Sequence, residues 1–384
     1  MIVVIADDLT GAAELGGIGL RYNLQVEITS QLNVSVLKET DLLIINTETR
    51  SMPMEAALEK LSQALSWIKL LPSSYIFKKV DSVLRGHVLA EINLQLGILD
   101  RKLALLLPAN PRLGRTIQKG KYYIYDQIIH ETNFAYDPEF PVKSSDVLHM
   151  IGAKNNVFVK KWNDSFPEEG IVIGELTTED DMQNWMHVIP SGALIAGASS
   201  AFIAFLEHKV NKRAVDKTKS KGAFVGFRKP CLYISGSNYE KSVQRIKAWR
   251  LANEPVCYLP IEQPEDEQYE QVLHNWIDRV SAAITCHQKA IIAFDYDTVS
   301  AMKLSPGFLR HMMAKLVNIL LNEVFVQELV LEGGATAGAV LAQRQIQQLK
   351  PLEELAPGVI RCGMAKDSKI WITLKPGSYN WYRL

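Results

Sequence analysis

Short apolar runs alternate along this chain with longer stretches of helical spacing, and the apolar runs end abruptly in polar residues. In the first half, residues 2–5, 25–30, 41–47, 75–77 and 103–107 read as strands. Residues 12–20 and 88–99 read as helices, as does the segment opened by Pro53, with Leu58, Leu61, Leu65 and Ile68 on one face. Residues 108–145 break the rhythm, and 121–129 read there as a tyrosine-rich hairpin or extended arm. Strands at 171–173 and 193–196 restore it, with a capping-box helix start at Thr178 between them. In the second half, strands are expected at 231–234, 256–261, 290–294, 328–331 and 370–374. Helices are expected at 238–253, 268–287, 308–324 and 337–346. This alternation predicts an α/β protein of two domains, each a largely parallel sheet flanked by helices.

Length agrees, because 384 residues are comfortable for two domains. The polar, basic stretch 211–229 is the expected linker, dividing domain 1–210 from domain 230–384. Its charge needs no explanation beyond solvation. With 42 basic and 42 acidic residues the net charge is zero, which argues against a broad nucleic-acid surface. The four cysteines form no CxxC pair, so zinc and thioredoxin chemistry have no support. The chain starts directly on a strand, and no apolar run approaches the ~20 residues of a membrane span. A cytoplasmic protein without membrane partners is expected.

The strand ends carry the candidate chemistry. In open parallel sheets ligands bind beyond the carboxyl ends of the strands. Asp7 and Asp8 follow the first strand, Arg50 the third, and Asp81 and Arg85 the fourth. Arginine binds a carboxylate or phosphate with two prongs, and aspartate accepts hydrogen bonds from hydroxyls. Together they suit a small polyhydroxylated acid, although each aspartate or arginine taken singly could equally be a helix cap or a surface ion pair. The second half offers small residues instead: Ser235-Gly236-Ser237, Gly333-Gly334-Ala335-Thr336 and Lys375-Pro376-Gly377. Glycines at a strand-to-helix turn, followed by unpaired helix N–H groups, suit phosphate without any basic side chain. Neither a Walker A loop nor a GxGxxG turn follows the first strand, which argues against a nicotinamide-dependent oxidoreductase. An acid-binding domain joined to a nucleotide-binding domain points to phosphoryl transfer across an interdomain cleft.

The chain resembles the four-carbon acid sugar kinase family. The resemblance rests on Ala6-Asp7-Asp8-Leu9-Thr10-Gly11-Ala12, Thr49-Arg50-Ser51, and Lys79-Val80-Asp81-Ser82-Val83-Leu84-Arg85-Gly86. It continues through Pro108 to Arg115, His130-Glu131-Thr132 and Asp137-Pro138 to Val142, then the three glycine-bearing stretches of the second half. These span almost the whole chain in order. The resemblance implies ATP-dependent phosphorylation, with Mg²⁺, of the terminal hydroxyl of a threonate, erythronate or 3-oxo-tetronate. It implies that Asp7, Asp8, Arg50, Asp81, Ser82 and Arg85 bind the acid sugar. Ser235, Gly236, Ser237, Gly333, Gly334, Ala335, Thr336 and Gly377 would bind ATP. In the mechanism expected, Arg50 and Arg85 grip the carboxylate and Asp8, or less favourably Asp81, takes the hydroxyl proton. Ala335 stands where members usually carry an acidic residue. That substitution motivates an alternative, a non-catalytic sensor of the same fold. A homodimer is expected only because symmetric self-association is common.

Overall fold

A computed structural model describes residues 1–32, 39–137, 139–211, 226–261, 268–364, 370–377 and 379. Most of the expected linker, together with Pro138 and Ser378, lies outside the described residues. The chain divides into two compact units, Met1–Lys217 and Thr218–Leu384.

The first unit begins β1 (Ile2–Ala6), α1 (Leu9–Arg21), β2 (Val26–Thr29), β3 (Leu42–Asn46), α2 (Met54–Ile68), β4 (Tyr75–Lys79), α3 (Val88–Ile98) and β5 (Leu103–Leu107). A small antiparallel sheet follows, β6 (Arg115–Gln118), β7 (Lys121–Ile124) and β8 (Gln127–Ile128). The unit closes with α4 (Val147–Met150), β9 (Val157–Lys160), β10 (Gly170–Gly174), α5 (Glu179–Val188), β11 (Leu194–Gly197) and α6 (Ser199–His208). The main strands pair side by side in the order β2-β3-β1-β4-β11-β5-β10-β9, every pair parallel. Strands buried on both faces need continuous apolar runs, and β1, β3 and β5 are buried throughout. Val3, Ile5, Leu43 and Ile45 pack on Leu61, Leu65 and Ile68 of α2, three of the four residues in the stripe expected from its spacing.

The second unit runs β12 (Cys231–Ser235), α7 (Glu240–Leu251), β13 (Val256–Tyr258), α8 (Tyr269–His287), β14 (Lys289–Ala293), α9 (Tyr296–Met302), α10 (Pro306–Glu323), β15 (Glu328–Glu332) and α11 (Gly334–Gln343). It ends with β16 (Gln348–Ala356), β17 (Val359–Met364) and β18 (Trp371–Lys375). Its order is β13-β14-β12-β15-β18-β17-β16, parallel as far as β18. The β16–β17 hairpin is antiparallel.

Several elements depart from the sequence expectation. Helix α1 starts at Leu9 rather than residue 12, because Asp8 caps it and its glycines Gly16, Gly17 and Gly19 face the core. Strand β4 runs on through Lys78 and Lys79, both buried, where charge argued for a loop. Strands β16 and β17 were not anticipated, since Glu353, Glu354 and Arg361 break the apolar alternation. Among the described residues, no helix is long and apolar enough to cross a membrane.

Candidate functional site

Topology locates the sites before any side chain is considered. From β1 the chain passes to β2 and back to β3 on one side and then crosses to β4 on the other, so β1 and β4 flank a reversal of strand order. In the second unit β12 and β15 flank the equivalent reversal. Connections diverge to opposite faces at such points, leaving a crevice beyond the strand ends. Asp7, Asp8 and Asp81 stand at the first reversal, Ser235 to Ser237 and Gly333 to Thr336 at the second.

At the β1–β4 reversal the charges interlock. Asp8 is the N-cap of α1, its Oδ1 accepting from Gly11 N at 3.1 Å and its Oδ2 from Thr10 Oγ1 at 2.5 Å. Asp7 is therefore free for another role, and it takes Arg50 in a two-pronged pair, with Nε and Nη2 each at 2.8 Å. Arg50 Nη2 also donates to Asp8 Oδ1 at 2.7 Å, and Nη1 lies 3.7 Å from Asp81. Asp81 accepts from Arg85 through both oxygens at 2.9 Å and from the backbone N–H groups of Val83 and Arg85. Arg85 spans onward to Asp137 at 2.9 Å. Burial opposes ionisation of Asp81, but Arg85 and then Arg50 outweigh it and hold its carboxyl well below the usual range. Asp7 is likewise lowered: burial works against the charge, and Arg50 overrides it. Glu48 moves the other way, raised chiefly by burial and also by the charge of Asp8.

The arginines expected to grip substrate are thus both engaged with aspartates. A saturated, strongly ionised Asp81 is a poor proton acceptor, whereas Asp8 keeps more of its side chain accessible, 16% against 8%.

Several supporting residues went unassigned in the sequence. Lys78 in β4 pairs with Glu91 of α3, and Glu91 also accepts from Thr49 Oγ1 at 2.5 Å, bracing the loop that carries Arg50. The signal was present: Glu91 and Gln95 occupy the same helical stripe as Val88, Ile92 and Leu96. Ser82 is held from the antiparallel sheet, by Arg115 Nη1 on its hydroxyl and Tyr122 OH on its carbonyl. No spacing rule joins residues 82, 115 and 122.

At the β12–β15 reversal the strand ends are bound together by one buried carboxylate. Glu332 accepts from Lys375 Nζ at 2.6 Å, Tyr233 OH at 2.7 Å, Ser242 Oγ at 2.8 Å and Ser235 Oγ at 3.0 Å. The backbone N–H groups of Gly236 and Gly333 are also spent internally, on the Glu332 and Lys375 carbonyls. Gly333 has φ +102, a conformation side chains rarely adopt, and caps α11. A Cβ on Gly236 would lie 2.0 Å from Thr336 Oγ1, and one on Gly377 2.3 Å from Ser237 Oγ, so all three loops meet closely. Thr336 is buried and Ala335 exposed. The N–H groups of Gly334, Ala335 and Thr336 have no acceptor within the helix and sit at its positive end. This cradle suits phosphate oxygens. Among the described residues, no group of three or more His, Cys, Asp or Glu side chains could hold a metal ion.

A model of a sugar-binding N-terminal domain matches residues 2–201, and one of a nucleotide-binding C-terminal domain matches residues 232–379. The chain is 25% identical to the D-threonate kinase of Salmonella typhimurium, over 96% of this chain and 92% of that protein. It is 21% identical to the 3-oxo-tetronate kinase of Cupriavidus necator, over 98% and 93% of the two chains. A crystal structure of a Haemophilus influenzae protein has the same fold, with a TM-score of 0.71 at 19% identity over 98% of this chain and 97% of that one. With a sugar-binding domain and a nucleotide-binding domain matched in order, and carboxylates and a glycine cradle at their respective strand reversals, the chain belongs to the four-carbon acid sugar kinase family.

Proposed function

We propose that this protein is a kinase that transfers the γ-phosphoryl group of ATP to the terminal hydroxyl of a four-carbon sugar acid. The observation that carries this reading is the cluster of Asp7, Asp8, Arg50, Asp81 and Arg85 at the β1–β4 reversal, which presents ionised carboxylates to hydroxyl groups. Relatives named D-threonate kinase and 3-oxo-tetronate kinase match nearly the whole chain and support the same substrate class.

Asp8 is the proton acceptor in this reading. Its oxygen takes the proton of the attacking hydroxyl, the new O–P bond forms, and the bond to the β-phosphate oxygen breaks as ADP leaves. Asp7 and Asp81 remain ionised on Arg50 and Arg85 and orient the other hydroxyls. On the nucleotide side, Ser237, Gly334, Ala335, Thr336 and Gly377 face the phosphates, while Ser235, Gly236 and Gly333 hold the loops in place. Mg²⁺ arriving with the nucleotide would balance phosphate charge. Phosphoryl transfer depends mainly on positioning and electrostatics, so Ala335 in place of an acid is compatible with catalysis.

The test is ATP consumption by the purified protein with Mg²⁺ and a panel of tetronates and 3-oxo-tetronates, each product identified by mass. One or more acids gaining a single phosphoryl group is expected. ATP binding with no product from any acid would overturn the reading.

A further inference from the structure

The acid-sugar site contains a third arginine that differs from the other two. Arg50 is committed to Asp7 and Asp8, and Arg85 to Asp81 and Asp137. Arg115 has a hydroxyl and a ring for side-chain partners and, among the described residues, no carboxylate. Its Nη1 donates to Ser82 Oγ, and its guanidinium lies 5.5 Å from the centroid of the Phe134 ring. Its backbone is fixed by a two-way bridge to Asn110, with N···O distances of 2.9 and 3.0 Å. The Asn110 side chain is in turn held by Ser199 at 3.0 Å and Ser200 at 2.8 Å. The residue is half-buried, neither sealed from solvent nor loose on the surface.

A four-carbon sugar acid is polar in an asymmetric way, with hydroxyls along its length and a carboxylate at one end. Four aspartates crowd the site around Arg50 and Arg85, and their charge repels a further carboxylate while favouring hydroxyl donors. Arg115 joins the site next to Asp81, through Ser82, and brings a positive charge that no aspartate neutralises. A guanidinium with free prongs, stacked on an aromatic face, is built to receive a carboxylate in two-pronged fashion.

We propose that Arg115, with Ser82 beside it, is the receptor for the substrate carboxylate and selects sugar acids over neutral sugars. The proposal rests on the kinase reading only for the identity of the substrate class. It directs the hydroxyl end of the acid toward Asp8 and assigns the antiparallel sheet the task of carrying the selectivity residue.

The experiment compares calorimetric binding of a tetronate and of its neutral primary amide to the wild type, Arg115→Gln and Arg115→Lys, each checked for an unchanged thermal melt. Losing a charge-assisted pair is worth roughly 10- to 100-fold. In Arg115→Gln the acid should weaken by about that factor and the amide should not, so that discrimination collapses, with ATP affinity unchanged. Arg115→Lys should fall between, keeping charge without the fork. If acid and amide weaken equally, Arg115 acts only by holding Ser82, and the proposal is overturned. Unchanged discrimination in Arg115→Gln overturns it as well, as does failure of the wild type to bind any tetronate. Should Arg115→Gln not fold, the same comparison in Arg115→Lys decides. A wild type that binds the acid but forms no phosphorylated product defeats the kinase reading alone.

Discussion

Lys375 at the end of β18 and Glu332 at the end of β15 form a fully buried ion pair, 2.6 Å from Nζ to Oε1. It sits directly beneath the glycine loops of the nucleotide-binding unit. The Glu332 carboxyl is lowered despite burial, chiefly by Lys375, while burial lowers the Lys375 ammonium against the pull of Glu332. A buried pair of this kind adds little net stability over apolar replacements, but removing one partner strands the other. Lys375→Met should therefore cost about 3–5 kcal/mol of unfolding free energy in urea. Adding Glu332→Gln should recover part of that loss. A double variant as unstable as the sum of the singles would show that the two residues act independently.

Gly333 adopts φ +102, which a side chain makes costly by about 1–3 kcal/mol. Gly333→Ala should weaken ATP binding, measured by calorimetry, and leave tetronate binding unchanged. Equal loss of both ligands would mean global disruption rather than a damaged phosphate cradle.

Asp8 both caps α1 and stands as the proton acceptor. Asparagine caps as well as aspartate but does not take a proton. Asp8→Asn should thus retain the thermal melt and ATP affinity while kcat falls by about 10²- to 10⁴-fold. Full turnover in that variant would move the base elsewhere, with Glu48 the first residue to test.

Asp7 and Asp81 are lowered in the folded protein relative to 3.8 in the unfolded chain. A depressed carboxyl adds stability that is present above the unfolded value and is lost as pH falls toward the folded one. Unfolding free energy should accordingly hold steady from neutrality to about pH 5 and drop below about pH 4. Asp81→Asn should be less stable at neutral pH and show a shallower acid decline. An identical slope in wild type and variant would mean that this carboxyl is not linked to folding.

Much of this was legible in the chain, for identifiable reasons. Fully buried parallel strands demand unbroken apolar runs, so β1, β3 and β5 could be read directly, together with the polar residues that end them. Two adjacent aspartates after β1 signalled more than a cap, and the structure divides them, Asp8 to the helix and Asp7 to Arg50. The glycines after β15 marked a tight strand-to-helix turn, and Gly333 has the backbone angle that only glycine takes easily.

What local pattern could not supply is which strand ends become neighbours and which charges meet. Sequence placed Arg50 and Arg85 among acidic residues; strand order decides that Arg50 is occupied, because pairing β1 with β3 brings its loop to Asp7 and Asp8, whereas Arg85 meets Asp81 four residues away in its own loop. Lys78, Lys79, Glu332 and Lys375 lie at strand ends, yet tertiary packing buries all four: Lys78 pairs with Glu91 and Lys375 with Glu332, while Lys79 donates to the neighbouring Val80 carbonyl. Arg115 reaches Ser82 only because a three-stranded insertion folds back over the β4–α3 loop. Periodicity and turn chemistry act over a few residues and determine the elements. Long-range pairing of charges depends on strand order and on exclusion of water, and only the folded chain decides those.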